Sequence, residues 1–155
     1  MNYQKFKTLT KIEQAAIIES QVKRKFFKSK KLYGVGICDV DFPVYIKFES
    51  GGVCHPAYTC WQNMLKRCYY NKNTTTYNPA TVCEEWLQFS NFLGWWKEHY
   101  MESFELDKDF KSLMMFGNPH QKLYSPETCQ FIPKWMNLIH RTNKNGKLLE
   151  IRQTA

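Results

Sequence analysis

Residues 105–137 read ELDKDFKSLMMFGNPHQKLYSPETCQFIPKWMN, and this stretch decides the C-terminal half of the fold. An acidic cluster, Asp107 and Asp109 around Lys108, sits on a predicted strand. A loop containing GNPHQK (117–122) follows, then YSPETC (124–129), then a helix-like stretch ending in Asn137.

Upstream, two stretches carry helical spacing with aromatic cores. In CEEWLQFSNFLGWWKEHY (83–100), Trp86, Phe89, Phe92, Leu93 and Trp96 recur at core intervals, and Glu84 and Glu85 suit a first turn. In AYTCWQNMLKRCYY (57–70), Trp61, Met64, Leu65 and Cys68 share one face, with Lys66 and Arg67 off it. Between them, NKNTTTYNPAT (71–81) is predicted as a polar loop. LYGVGICDV (32–40) and FPVYIKFES (42–50) predict two strands around a turn at Asp39–Pro43, ended by Gly51–Gly52. TKIEQAAIIESQVKRKFFK (10–28) predicts a helix opened by a Thr10/Glu13 capping box, apolar on one side and basic at its C-terminal end. The tail from Thr142 is polar, with LLEIR as a marginal strand. The expected class is α+β: a basic N-terminal helical arm (1–31), a domain (32–140) with a short hairpin, two aromatic-rich helices and the C-terminal strand–loop–helix stretch, and a polar tail (141–155).

The bulk numbers fit one small domain. The chain has 155 residues, 43% of them hydrophobic, with eleven Phe, nine Tyr and five Trp, enough for a packed core. No apolar run approaches the roughly 18 residues of a membrane span, and the N-terminus lacks the apolar segment of a signal peptide, so a cytoplasmic protein with no membrane contact is expected. Six cysteines occur without any C-x-x-C, which makes small buried hydrophobes the default and leaves a structural zinc site as the alternative. The formal charge is +8, unevenly spread. Residues 1–31 hold nine Lys/Arg against Glu13 and Glu19, whereas the other 124 residues hold thirteen basic and twelve acidic side chains. Such a cluster suits a polyanionic partner; DNA, RNA and anionic lipid all remain open.

YTCWQNMLKRCY (58–69), VCEEWLQFSNFLGWW (82–96), LDKD (106–109) and YSPETCQFIP with Asn137, preceded by YGVGICD, resemble a family of bacteriophage HNH-type (His-Me finger) endonucleases of the homing kind. The similarity covers roughly residues 32–140. It implies a ββα-metal element, double-stranded DNA as partner, a divalent ion, and a phage or mobile element resident in a bacterial host as the source. Metal-assisted hydrolysis needs hard oxygen ligands and a base for the attacking water. The resemblance places Asp107, Asp109 and Asn137 as the Mg²⁺ ligands. Lys108 stands where the family has its histidine. A lysine, with an ordinary pKa of about 10.4, is a proton donor at neutral pH. His120 or His140 is the remaining candidate base. Pro119 replaces a lysine of the family's shorter loop.

The residues therefore predict a site-specific duplex-DNA-binding protein without nuclease activity or a resident metal, acting by occupancy as a transcriptional repressor. The rivals are an active Mg²⁺-dependent endonuclease or nickase, using Asp107, Lys108 and His120, and an inhibitor of a host protein. The expected DNA contacts are Lys23, Arg24, Lys25, Lys28, Lys30 and Lys31 of the arm, Gln62, Asn63, Lys66 and Arg67 on one helix, and Lys134 and Arg141. A homodimer would read a palindrome with half-sites about one helical turn apart.

Overall fold

The computed structural model describes residues 1–21, 30–70, 80–117 and 122–139. It is an α+β domain whose core is built from aromatic residues. Helix α3 (Pro56–Tyr69) and helix α4 (Phe89–His99) face each other across Trp61, Met64, Leu65, Phe89, Phe92 and Trp96, all buried. A 3₁₀ turn, Glu84–Leu87, precedes α4 and buries Trp86. The Trp61 indole N–H donates to the Trp86 carbonyl at 2.6 Å, so a polar atom inside the core is satisfied. The expected helix over 83–100 is thus two pieces, broken at Gln88. Gln88 is extended (φ −96°, ψ 124°) and pairs with Ile37 in a parallel bridge.

The first part of the basic segment, residues 3–19, packs on this body; residues 22–29 lie outside the described residues. Helices α1 (Tyr3–Lys7) and α2 (Lys11–Glu19) bury Phe6, Gln14, Ala15 and Ile18. The capping box is present: Thr10 accepts from the Glu13 amide, and Glu13 accepts from the Thr10 amide at 2.8 Å. Helix α2 ends at Glu19, with Ser20 as C-cap; residues 22–28 of the expected helix lie outside the described residues. Glu19 accepts from His55 at 2.9 Å and from Lys97 at 2.5 Å, fastening α2 to the body. His55 is fully buried and its Nδ1 accepts from the Ala57 amide at 3.1 Å, which puts the ring proton on Nε2 facing Glu19. Burial lowers its pKa, with the Glu19 hydrogen bond opposing.

Of the two strands expected around Asp39–Pro43, the second holds β1 (Tyr45–Phe48), and the first, 32–40, is replaced by a different arrangement. Leu32–Gly36 closes a tight turn, and Asp39 caps α4 by accepting from the Ser90 amide and hydroxyl. The hairpin lies further on: β1 (Tyr45–Phe48) pairs antiparallel with β2 (Gly51–Cys54) around Glu49–Ser50. Gly51 and Gly52 are therefore strand residues. At Gly52 a Cβ would meet the Tyr45 side chain, so the glycine allows that ring to cross the strand. Part of the expected 71–81 loop is strand as well, since Thr81–Val82 (β3) pairs parallel with Leu123–Tyr124 (β5).

The C-terminal element has the expected outline with one insertion. β4 (Phe104–Asp107) pairs antiparallel with β6 (Gln130–Pro133), and α6 (Lys134–Ile139) packs against both. Where a loop was expected after the acidic cluster, α5 (Asp109–Phe116) forms. Asp107 initiates it by accepting from the Asp109 and Phe110 amides at 3.1 and 2.7 Å, and Gly117 (φ 65°) ends it in the left-handed conformation. No helix of the described residues is long and apolar enough to cross a membrane. The six cysteines are unbridged, and among the described residues no three His, Cys, Asp or Glu side chains gather as a metal group.

Candidate nucleic-acid interface

YSPETC is the hinge of the site. Its Ser125 and Thr128 are buried and bonded to each other: the Ser125 amide donates to the Thr128 hydroxyl at 3.1 Å, and the Thr128 hydroxyl donates to the Leu123 carbonyl at 2.5 Å. Lys111 reaches the Pro126 carbonyl at 3.3 Å and ties α5 to this turn. The turn reverses the chain so that β6 runs back along β4 and delivers Asn137 beside Glu105. The motif's side chains thus shape the backbone rather than face a ligand.

Asp107 is 5% exposed, with one carboxylate oxygen shared by two amides. Burial pushes its pKa up, the Phe110 amide opposes this, and the neighbouring Asp109 charge adds to it. The Lys108 ammonium lies 2.5 Å from Asp109 and 5.8 Å from the centre of the Tyr124 ring. Burial raises the Tyr124 pKa, and hydrogen bonding from the Arg67 side chain opposes the rise. Arg67 and Lys108, from different elements, therefore both act on Tyr124, a residue the sequence did not single out.

Asn137 donates to Glu105 at 3.0 Å. Side chains two apart on a strand share a face, so Glu105 and Asp107 lie on the same side of β4, Glu105 at the exposed end. The strand period alone could have found Glu105; attention to LDKD started the acidic cluster two residues too late. A Mg²⁺ ion held by Asp107, Asp109 and Asn137 would require their oxygens to converge. Instead, Asp107 caps α5, Asp109 is held by Lys108, and Asn137 is held by Glu105. In this structure the three side chains are engaged separately, each by a partner within the protein.

What does converge is a cleft of about 660 Å³. Lys7 and Lys11 enter from α1 and α2, Asn63 and Arg67 from α3, Glu105 from β4 and Asn137 from α6, over a floor that includes Trp96, Tyr100 and Phe131. The four residues expected to act together on α3 are divided. Asn63 and Arg67 line the cleft; Gln62 and Lys66 lie on the outer flank, where the Lys66 ammonium sits 5.4 Å over the Tyr70 ring. Lys30, Lys31 and Lys134 are exposed. Lys23, Arg24, Lys25, Lys28, His120, His140 and Arg141 lie outside the described residues. Lys7 and Lys11 were counted only as part of the basic arm; their place in the cleft follows from the packing of α1 and α2, which composition does not show.

Comparison with protein-family models, with curated proteins and with solved structures returned no significant match.

Proposed function

We propose that this chain binds double-stranded DNA site-specifically and acts by occupancy, as a repressor does, without cutting it. One observation carries the reading. The ammonium of Lys108, the residue that the resemblance sets at the general base's position, is engaged at 2.5 Å by Asp109, which supports a gripping role over proton removal from water. The cleft beside it supplies the cations a phosphate backbone requires, Lys7, Lys11 and Arg67, together with two amide side chains, Asn63 and Asn137, of the kind that read base edges. The chain carries a net charge of +8, and Lys134 on α6 is exposed.

Fluorescence anisotropy of a labelled duplex across a salt series tests the binding. If about six phosphates are met, the log–log slope is about −5, and removing one contacting cation by Arg67→Ala, Lys7→Ala or Lys11→Ala reduces its magnitude by about one. Salt-independent binding, or none at about 100 mM salt, overturns the proposal. The enzyme reading has one observation in its favour: Asp107 and Asn137 sit on the neighbouring elements β4 and α6 of a ββα unit. Metal-dependent plasmid cleavage abolished by both Asp107→Ala and Asn137→Ala would establish it.

A further inference from the structure

The outer flank of α3 carries a feature the cleft does not use. The tight turn before it is closed by the Val35 amide donating to the Leu32 carbonyl at 3.1 Å, and both of its central residues have positive φ, Tyr33 at 51° and Gly34 at 79°. Turns of this kind take Asn, Asp or Gly at the first central position. A tyrosine there is held against its backbone preference, and such outliers persist where surrounding structure fixes them. Here the fixing is visible. The Leu32 amide donates to the Gly36 carbonyl at 2.8 Å, and Gly36 lies so close to α3 that a Cβ would stand 2.5 Å from Leu65 Cδ1.

The strained turn places the Tyr33 ring edge-on to Tyr70, with centroids 5.6 Å apart and planes at 72°. Tyr70 is 59% exposed and carries Lys66 over its ring. Lys30 and Lys31, both exposed, lead directly into the turn. Two tyrosines with three lysines around them offer planar apolar faces beside positive charge. A duplex presents phosphates and base edges outward but keeps its base faces stacked inside. Only an unpaired base has a face to give to a tyrosine.

We propose that the Tyr33–Tyr70 surface binds a single strand of nucleic acid, stacking an unpaired base while Lys30, Lys31 and Lys66 meet its phosphates. This shares with the proposed function the premise of a nucleic-acid partner, but it uses Tyr33, Tyr70, Lys30, Lys31 and Lys66, none of which lines the duplex cleft. The test is anisotropy binding of labelled 12-nucleotide oligo(dT), oligo(rU), an abasic 12-mer of equal charge and a 12-base-pair duplex. Wild-type protein binds at least one base-bearing strand more tightly than the abasic one. Tyr70→Ala weakens that complex about tenfold, within the range for losing one base–aromatic stack, and changes abasic and duplex binding less than about twofold. Tyr70→Phe, which keeps the ring, stays near wild type. Tyr33→Asn, which suits the positive φ, weakens the same complex. Running the DNA and RNA strands in parallel identifies which backbone carries the base. Equal wild-type binding to base-bearing and abasic strands, or equal loss on both in Tyr70→Ala, overturns the proposal, and the wild-type comparison needs no variant to fold. Loss of duplex binding with stacking retained would sink the cleft reading alone; the converse would sink this one alone.

Discussion

Replacing Asp107 by asparagine and by alanine separates what its shape does from what its charge does. The side chain is buried, and one oxygen serves two amides at the start of α5. Alanine removes that acceptor, leaving two amides without their partner, which costs about 1–2 kcal/mol. For a domain of this size that is a fall in Tm of roughly 2–8 °C. Asparagine keeps an oxygen acceptor and removes the buried charge. The Asp107 pKa is raised, chiefly by burial, so the folded protein holds the proton more strongly than the unfolded chain does. The sign follows: this group's contribution to stability is greatest in acid and diminishes as pH rises from the unfolded value, about 3.9, through the raised folded one. At neutral pH, Asp107→Asn is therefore expected to be as stable as wild type or more so, and the two should converge as pH falls towards 4. Chemical denaturation at pH 7 and pH 4 by circular dichroism reads both. If Asp107→Asn is as destabilised at pH 7 as Asp107→Ala, the carboxylate charge itself stabilises the fold and the reasoning is refuted.

Other outcomes follow from single contacts. His55, neutral with a lowered pKa, contributes stability that is full above about pH 6.5 and is lost as pH falls towards its folded value, because the unfolded chain takes the proton first; Glu19→Gln keeps the acid sensitivity in denaturation curves, and His55→Gln flattens it between pH 7 and 5. Trp61→Phe strands the Trp86 carbonyl inside the core and removes ring volume, a loss of about 2–4 kcal/mol by urea denaturation. Gly36→Ala forces a methyl against Leu65 and Trp61, and its Tm should fall by an amount that corresponds to about 1–3 kcal/mol of overpacking.

The helical core was legible because its signal is local and repeated. Trp61, Met64, Leu65 and Cys68, and then Trp86, Phe89, Phe92, Leu93 and Trp96, fall at helix spacing and are all buried. The Thr10/Glu13 capping box was legible for the same reason, as a pair three residues apart. What sequence could not supply was tertiary. Residues 32–40 have strand-like composition, but their edge pairs with Gln88 and their Asp39 caps a helix 51 residues away. Charge counts leave open whether the basic segment packs on the body; they do not reveal that Phe6 and Ile18 are buried or that Glu19 is fastened by His55 and Lys97. At the site, Asp107, Lys108 and Asn137 could be named from the motif order. Their partners could not: α5 claims Asp107, Glu105 claims Asn137, and Tyr124 brings Arg67 and Lys108 together from 41 residues apart.

The most direct measurement is incubation of the full chain with supercoiled plasmid in Mg²⁺ and in Mn²⁺, with each sample run on a gel before and after removal of protein. The expected result is retarded DNA before removal and intact supercoiled DNA after it. Nicked or linear product that depends on the metal and disappears in both Asp107→Ala and Asn137→Ala would contradict the claim that this site grips the duplex without hydrolysing it.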